Sequence, residues 1–197
     1  SVVALGGLGE VGKNMYVITH KDEIFIIDAG VIFPESDLLG VDYVIQDITY
    51  LKQNEKKIKG LVITHGHEDH IGGIPFLLQS VNIPVIYGAK TAIDLIKNKL
   101  EDRNISYKNL EEVTEDTIIK SKYFKIEFIS ITHSIPDCFS IVLHTPNGVI
   151  VQTGDYKFDL TPIGPVANFH KLAKTGANKV KLMLGESTNA LVPGFST

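Results

Sequence analysis

The stretch Thr64-His65-Gly66-His67-Glu68-Asp69-His70-Ile71-Gly72-Gly73 decides the fold and carries the strongest chemical signal in the chain. It continues directly from the apolar run GLVIT at residues 60–64, which is typical of a buried strand. Neutral imidazoles and carboxylates are the ligands that Zn²⁺ accepts. Burying three histidines and an aspartate beside an apolar strand is costly without a metal. The stretch therefore predicts a metal site rather than a polar loop that happens to be rich in histidine.

The spacing divides these side chains between two neighbouring points. His65 and His67 lie in the loop after the strand and can converge on one cation. Asp69 and His70 begin the next predicted helix and can face a second cation close by. The pair Gly72-Gly73 lets the backbone approach the site without a side-chain clash. The spacing therefore allows the motif to present its donor atoms at two neighbouring points.

Short apolar runs alternate with helical patterns along the whole chain, without an internal repeat. The predicted strands are residues 2–5, 15–19, 23–28, 60–64, 85–87, 117–120, 124–131, 139–145, 149–153 and 181–184. The predicted helices are residues 44–53, 70–79, 91–103 with Thr91 as N-cap, and 169–175. Pro146-Asn147-Gly148 predicts a tight hairpin turn. Strands capped by helices indicate an α/β layered sandwich in one domain.

Composition narrows the class of protein. The chain has 197 residues, of which 44% are hydrophobic, enough for one globular domain. Its 19 basic and 23 acidic residues give a net charge of −4, which argues against nucleic-acid binding through bulk positive charge. The one cysteine, Cys138, cannot form an internal disulfide, so we expect a reducing, cytoplasmic location. No signal peptide or membrane-spanning run is present, and we expect no membrane partner.

The pattern His65-x-His67-x-Asp69-His70 resembles the metallo-β-lactamase superfamily, whose fold is a four-layer αββα sandwich. Three further residues, each at the end of a predicted strand, match that superfamily in the right order: Asp28 in IIDAG, His133 in ITHS and Asp155 in QTGD. The resemblance implies six metal ligands and one further residue that does not bind the metal but orients one of the ligands. It gives His65, His67 and His133 to one metal, Asp69 and His70 to the other, Asp155 to a position between them, and the orienting role to Asp28.

Plainer interpretations exist for each of the three additional residues. A lone histidine such as His133 is more often a satisfied surface or core residue, while Asp155 or Asp28 could belong to a turn or cap. Their shared position after strands favours the metal site. The remaining histidines have no motif around them and are interpreted as exposed or structural. They are His20, His144 and His170.

Motifs over nearly the whole chain are similar to the ribonuclease J family of this superfamily. They are LGGLGEVGKN at residues 5–14, Phe33-Pro34-Glu35, HGHEDHIGG at 65–73, TGDYKFD at 153–159 and Glu186-Ser187-Thr188-Asn189. Glu186 is a mild departure, because aspartate is frequent there. The resemblance implies an RNA endonuclease and 5′-to-3′ exonuclease that prefers a 5′-monophosphate and acts in mRNA decay and rRNA maturation.

The same resemblance implies the cofactors, the catalytic residues and the partners. Two Zn²⁺ ions, or Mn²⁺ or Mg²⁺ in one site, would hold a water whose pKa falls toward ~7 and whose hydroxide attacks phosphorus. Asp69, Asp155 and His133 are the expected catalytic residues. Besides RNA, we expect a homo-oligomer of the full-length protein and an RNA-degradation complex.

The resemblance also implies that residues 1–197 are the N-terminal portion of a metallo-β-lactamase domain. In the family, a β-CASP domain follows at a point like PGFST (residues 193–197), and the chain then returns to complete the sandwich. The absent part would supply a seventh ligand, a histidine, and the 5′-phosphate contacts. The missing initiator Met fits this expectation. We therefore expect one metal to bind well and the second weakly, with little or no RNA cleavage by this piece alone.

The spacing Gly7-x-Gly9-x-x-Gly12 matches a dinucleotide-binding fingerprint, which requires a helix to follow. Residues 14–19 instead have the pattern of a strand, so we expect no nicotinamide or flavin site. Two interpretations remain. The loop could border the metal site and meet a phosphate through backbone N–H groups and Lys13, or it could be a tight turn between strands.

Two other functions use the same ligands. One is a thioesterase or lactonase of the glyoxalase-II type, because a two-metal centre serves esters and thioesters as well as phosphodiesters. The other is a non-catalytic metal-binding or RNA-binding module. Assays of RNA against thioesters, together with the metal content, separate these alternatives.

Overall fold

A computed structural model describes residues 1–34 and 39–194. Glu35, in the quoted stretch Phe33-Pro34-Glu35, and residues 195–197, in the quoted PGFST, lie outside this described part. Among the described residues, no helix combines the length and the apolar character needed to cross a bilayer.

The first sheet has six strands that neighbour one another in chain order. They are β1 (Val2–Gly6), β2 (Met15–His20), β3 (Glu23–Ile27), β4 (Ile58–Val62), β5 (Ile86–Gly88) and β6 (Leu110–Glu112). β1, β2 and β3 pair antiparallel, and β3 to β6 pair in parallel. Because parallel strands end at the same edge of a sheet, the residues that follow β3 and β4 lie next to each other.

The second sheet has five strands in the order β11-β10-β9-β8-β7. They are β7 (Ile118–Lys120), β8 (Lys125–Ile131), β9 (Cys138–Thr145), β10 (Gly148–Gln152) and β11 (Val180–Leu184). The predicted hairpin between β9 and β10 is confirmed, with Thr145 paired to Gly148. Gly148 has φ +125°, a conformation that favours glycine.

Five α-helices lie outside the two sheets within the described ranges, together with a short 3-10 helix at Glu55–Lys57. They are α1 (Thr49–Gln53), α2 (Glu68–Ile71), α3 (Ile74–Leu78), α4 (Lys90–Asp102) and α5 (Phe169–Ala177). Alternate residues of each strand point to opposite faces of its sheet. In the first sheet, Ile27 therefore packs between the sheets and Ile26 packs toward the helices.

Three clusters of apolar side chains pack the layers against one another. One lies between the sheets and includes Phe25 and Phe128. A second joins the first sheet to α3 and α4, and a third joins the outer face of the second sheet to Leu172 of α5. Helices, sheet, sheet and helix thus form four layers, which confirms the expected αββα sandwich.

The helix predicted over residues 70–79 is wrong as a single element. It is two short helices, α2 and α3, separated by Gly72 and Gly73. The backbone N–H of Gly73 donates to the carbonyl of Ala29 at 2.8 Å, so this segment bonds to the loop after β3 instead of continuing the helix.

The helix predicted over residues 44–53 is also shorter than expected. Val44 forms a bridge with Ile32, and the buried Gln46 amide donates to the carbonyls of Lys13 and Gly30 at 2.7 and 2.9 Å. These tertiary bonds hold residues 44–46 in extended backbone, so α1 begins only at Thr49.

One smaller prediction fails and one strand was missed, both because of contacts with distant residues. Thr91 is not the N-cap of α4, because that helix begins at Lys90 after Ala89. The Thr91 hydroxyl donates instead to Asp137 Oδ2 at 2.5 Å. Strand β6 was not predicted, since LEE at residues 110–112 has no apolar alternation and gains its order from pairing with β5.

Candidate metal centre

The ends of four strands from both sheets meet at one edge of the sandwich. Asp28 follows β3 and His65 follows β4 in the first sheet, while His133 follows β8 and Asp155 follows β10 in the second. The loop after β4 and helix α2 add the other residues of the quoted motif. The structure thus brings all seven residues predicted from sequence together at one cleft. They are Asp28, His65, His67, Asp69, His70, His133 and Asp155.

Three imidazoles form the first group of donor atoms. His67 Nδ1 lies 3.1 Å from His65 Nε2 and 3.2 Å from His133 Nε2. One nitrogen from each ring falls within 4.8 Å of the others. His133 Nδ1 is buried and has no hydrogen-bond partner in the described part of the chain.

Asp155 stands between this group and a second one formed with His65 and His70. Its Oδ1 lies 3.5 Å from His70 Nε2, and its Oδ2 lies 3.8 Å from His133 Nε2. Asp69 Oδ2 is also 3.5 Å from His70 Nε2. The two carboxylates and His70 therefore surround the second point that the motif predicts, and His65 reaches both groups.

Asp28 contacts His70 at Nδ1, the ring nitrogen that faces away from Asp69 and Asp155. The Asp28 carboxylate is fully buried, and its Oδ2 lies 2.8 Å from His70 Nδ1. It also accepts hydrogen bonds from the Thr64 backbone N–H and hydroxyl, both at 2.8 Å, and that hydroxyl lies 3.0 Å from His65 Nδ1. A carboxylate behind an imidazole fixes the ring orientation and makes the opposite nitrogen a better ligand.

Gly30 lies where the loop after β3 and helix α2 approach each other so closely that a larger residue does not fit. A Cβ at this position would lie 1.6 Å from the carbonyl oxygen of Asp69. The loop after β3 therefore packs directly against the backbone of α2, which places Asp28 behind His70.

Sequence reasoning missed two residues that hold the site together. The first is Thr64, whose hydroxyl joins Asp28 to His65. The second is Asn14, whose Nδ2 donates to the Asp69 carbonyl at 3.2 Å and lies 3.2 Å from His70 Nε2. Asn14 stood in a quoted motif, but the partners lie 55 and 56 positions away and no local pattern signals them.

The glycine-rich loop of residues 6–12 leads into strand β2, not into a helix, which confirms that the dinucleotide fingerprint is not met. Asn14, two residues beyond this loop, contacts Asp69 and His70 of the metal centre. Lys13 pairs with Glu10 at 3.3 Å. Both interpretations of the loop, phosphate contact and tight turn, remain predictions.

The electrostatics suit cation binding. Burial, together with the charge of His70, lowers the pKa of His65 to about 2, and burial also lowers the pKa of His133. These rings are therefore neutral near pH 7, the form that binds metals. Burial alone would lower the pKa of His70 as well, but Asp28, Asp155 and Asp69 raise it well above its usual value.

The two partly exposed carboxylates are also in the form that binds a cation. Burial opposes their ionisation, but hydrogen bonds and charge from His70 lower the pKa of Asp155 and of Asp69. Ionised carboxylates and neutral imidazoles whose donor atoms converge from two sheets fit a divalent cation such as Zn²⁺.

A model of the metallo-beta-lactamase superfamily matches residues 8–194. The chain belongs to this superfamily. The match covers the described site and every strand except β1, and it agrees with the resemblance seen in the His65 motif and with the four-layer fold.

Within the superfamily, the chain is similar to ribonuclease J proteins. It is 50% identical over 196 residues to ribonuclease J 1 of Streptococcus pyogenes, covering 99% of this chain and 35% of that protein. It is 46% identical over 196 residues to ribonuclease J of Mycoplasma pneumoniae, covering 99% of this chain and 34% of that protein. These matches confirm the resemblance to the ribonuclease J family, and the chain spans about a third of the length of these relatives.

A solved structure also shares the fold of this superfamily member. A protein of unknown function from Enterococcus faecalis has a TM-score of 0.73 with 15% sequence identity, and the match covers 100% of this chain and 52% of that chain. At this identity the likeness concerns the fold alone.

Proposed function

We propose that this chain carries the hydrolytic metal centre of a ribonuclease that cleaves RNA phosphodiesters. The observation that carries the proposal is the position of Asp155, with one oxygen toward His70 and the other toward His133. A carboxylate between two groups of donors suits a pair of cations that share a substrate. The similarity to ribonuclease J supports RNA as that substrate.

The donor atoms assign the residues to two cations. We propose that His65, His67 and His133 hold one Zn²⁺, that Asp69 and His70 hold a second Zn²⁺, or Mn²⁺ or Mg²⁺, and that Asp155 contacts both. Such cations supply Lewis acidity, which favours ionisation of water near pH 7 and neutralises charge on a phosphodiester.

The side chains of the protein position the metal ligands and determine the side from which substrate approaches. Asp28 and Thr64 hold the rings of His70 and His65 in place before substrate arrives. The side chains of Asp69 and Asp155 are 30% and 23% exposed, whereas His70 is only 2% exposed. Substrate therefore approaches from the carboxylate side, and the buried apolar strands behind His65 exclude water from the opposite side.

The length of the relatives supports further parts of the proposal. We propose that residues 1–197 form the N-terminal portion of the metallo-β-lactamase domain in a longer, cytoplasmic enzyme. A β-CASP domain would then bind the 5′-monophosphate. In this proposal, the longer protein acts as an exonuclease and an endonuclease in mRNA decay and rRNA maturation. It also forms a homo-oligomer and takes part in an RNA-degradation complex.

A chimeric enzyme tests whether this centre hydrolyses RNA. In the chimera, this chain replaces its matching region in Streptococcus pyogenes ribonuclease J 1, with which it is 50% identical. We expect the chimera to contain bound metal by mass spectrometry and to cleave 5′-phosphorylated RNA. A matched His67→Ala chimera should remain folded by circular dichroism, lose metal and leave the RNA intact.

Three outcomes would contradict the proposal. In the first, a folded, metal-loaded chimera leaves RNA intact while the parent enzyme cleaves it. In the second, the His67→Ala or Asp69→Ala chimera keeps full activity. In the third, hydrolysis of a thioester or lactone exceeds that of RNA, which would assign the centre to the glyoxalase-II type of enzyme.

A further inference from the structure

Three aromatic side chains and one arginine form a partly exposed stack, called here the aromatic stack. The ring centroids of Phe33 and Tyr43 are 5.6 Å apart, and those of Tyr43 and Phe76 are 5.7 Å apart. The Arg103 guanidinium lies 4.6 Å from the Phe76 centroid and 5.3 Å from that of Tyr43. Phe33 stands at the open end and is 59% exposed.

The arginine in this stack is informative because the chain contains no other. Among 19 basic residues, Arg103 is the single arginine and all the rest are lysines. A planar guanidinium stacks on aromatic faces, whereas a lysine ammonium is a compact charge that cannot. Arg103 thus packs against the rings of Tyr43 and Phe76, and the Tyr43 ring packs against Phe33.

The aromatic stack is built on the same two segments that form the metal centre. Phe33 lies two residues beyond Val31, whose backbone N–H donates to the Glu68 carbonyl at 3.2 Å, next to Asp69. Phe76 belongs to α3, which directly follows the His65 motif. The stack is therefore tied to the metal ligands through backbone hydrogen bonds and is not an independent surface.

We propose that the open face of Phe33 stacks on a nucleobase of single-stranded RNA whose backbone runs past the metal centre. This inference rests on the proposed function, because it takes RNA as the ligand. Aromatic faces supported by arginine suit bases of any sequence, since each base offers a π-face. The exposed Arg103 also places positive charge beside a phosphate backbone, on a chain whose net charge is −4.

A tryptophan reporter tests the proposal directly, because the chain contains no tryptophan. In the Phe33→Trp variant, we expect a short 5′-phosphorylated oligoadenylate to quench the emission, and the same backbone without bases not to do so. In the Phe33→Ala variant, the affinity for oligoadenylate should fall about tenfold, since one base stack is lost. The matched control is Ile118→Ala, which truncates another exposed apolar residue, 47% exposed on β7.

Arg103→Lys separates stacking from charge. It keeps the positive charge, so a loss of affinity in this variant points to the planar support of the stack. Metal content is measured in every variant and should equal that of the unmodified chain. A loss of RNA affinity with unchanged metal content then concerns the aromatic stack alone. A loss of metal, or of ribonuclease activity with RNA affinity unchanged, concerns the metal centre and the proposed function.

Three results would overturn the proposal. One is an emission of the Phe33→Trp variant that oligoadenylate leaves unchanged up to millimolar concentration. Another is equal affinity of the Phe33→Ala and Ile118→Ala variants for RNA. The third is a change in oligomeric state of the Phe33→Ala variant with unchanged RNA affinity, which would assign the stack to a protein contact.

Discussion

His70 and His133 lie on opposite sides of one metal centre and are held in different ways. His70 is 2% exposed, and its Nδ1 lies 2.8 Å from the buried Asp28 carboxylate. His133 is 15% exposed, and its buried Nδ1 has no partner among the residues that the structure describes. The first sheet therefore fixes the His70 ring by a direct hydrogen bond, whereas on the second sheet the bonds to Lys157 hold Thr132, the residue before His133, and not the ring itself.

The loop after His133 is anchored at its far end. Asp137, with φ 57°, accepts the hydrogen bond from Thr91 at the start of α4. The Cys138 thiol donates to the Ile135 carbonyl at 3.1 Å. The backbone on either side of His133 is thus held by hydrogen bonds, including the bridge between Thr132 and Lys157. The His70 ring differs because a buried carboxylate bonds directly to its Nδ1.

Removal of Asp28 should have the largest effect on stability. The Asp28→Ala change leaves the Thr64 N–H, the Thr64 hydroxyl and His70 Nδ1 without their acceptor in a fully buried pocket. We expect a loss of about 3–5 kcal/mol in the free energy of unfolding, measured by urea denaturation in EDTA. Asp28→Asn, which keeps an acceptor and tolerates the left-handed backbone of this position, should lose less. Equal losses would show that the negative charge, which both variants lack, decides stability, and that neither the acceptor nor the backbone conformation does.

A methyl group at Gly30 should be the next most damaging change on the His70 side. The added Cβ overlaps the Asp69 carbonyl, so the loop after β3 and α2 must separate. We expect about 3 kcal/mol of destabilisation and weaker metal binding. The matched control is Gly164→Ala, where no atom lies within 4 Å of the added Cβ. Similar unfolding curves for both variants would mean that the two segments are not in tight contact.

Removal of His133 should separate stability from metal binding. Because its Nδ1 has no described partner, His133→Ala should change the metal-free stability by less than about 1 kcal/mol. Zn²⁺ affinity, measured by calorimetry, should fall by more than the roughly 10- to 100-fold that loss of an outer hydrogen-bond partner costs. A large loss of metal-free stability would show that the His133 side is also fixed by the protein itself.

The smallest effect concerns the reactivity of Cys138 and not stability. Burial, with the charges of Asp137 and Asp155, raises the pKa of its thiol to about 12. A raised pKa keeps the thiol protonated at about pH 8, where an ordinary cysteine has begun to form the reactive thiolate. We expect alkylation in the native protein to be at least roughly a hundredfold slower than in urea. Fast native labelling would indicate that the loop after His133 opens.

Local patterns predicted most of the strands and a metal site in the His65 motif, while the resemblance to the superfamily assigned His133 and Asp155 as further ligands. The metal motif and the residues after strands follow rules that depend on neighbours in sequence, because strands alternate and parallel strands end together. Neighbouring residues alone are therefore enough to place His65, His133 and Asp155 at the ends of strands that share one edge. The hairpin at Pro146-Asn147 follows from turn chemistry that is equally local.

The remainder depended on contacts between distant segments. The interruption between α2 and α3 arises where Gly73 bonds to Ala29, and the late start of α1 arises where Gln46 reaches Gly30. Neither partner is visible in a local pattern. Thr64 and Asn14 were missed for the same reason, since a threonine or asparagine gives no signal until the partner that it contacts is known.

The division of donors between the sheets has a mechanical consequence. His65 and His67 belong to the first sheet, while His133 and Asp155 belong to the second, so a cation bound by both sets cross-links the two halves of the sandwich. Bonds to such a cation would join the sheets at the edge of an interface that is otherwise closed by an apolar cluster, which includes Phe25 and Phe128. Because a ligand that binds only the folded state stabilises it, metal availability sets how firmly the sheets stay together. The proposed ions would thereby stabilise the contact between the two sheets as well as act on substrate.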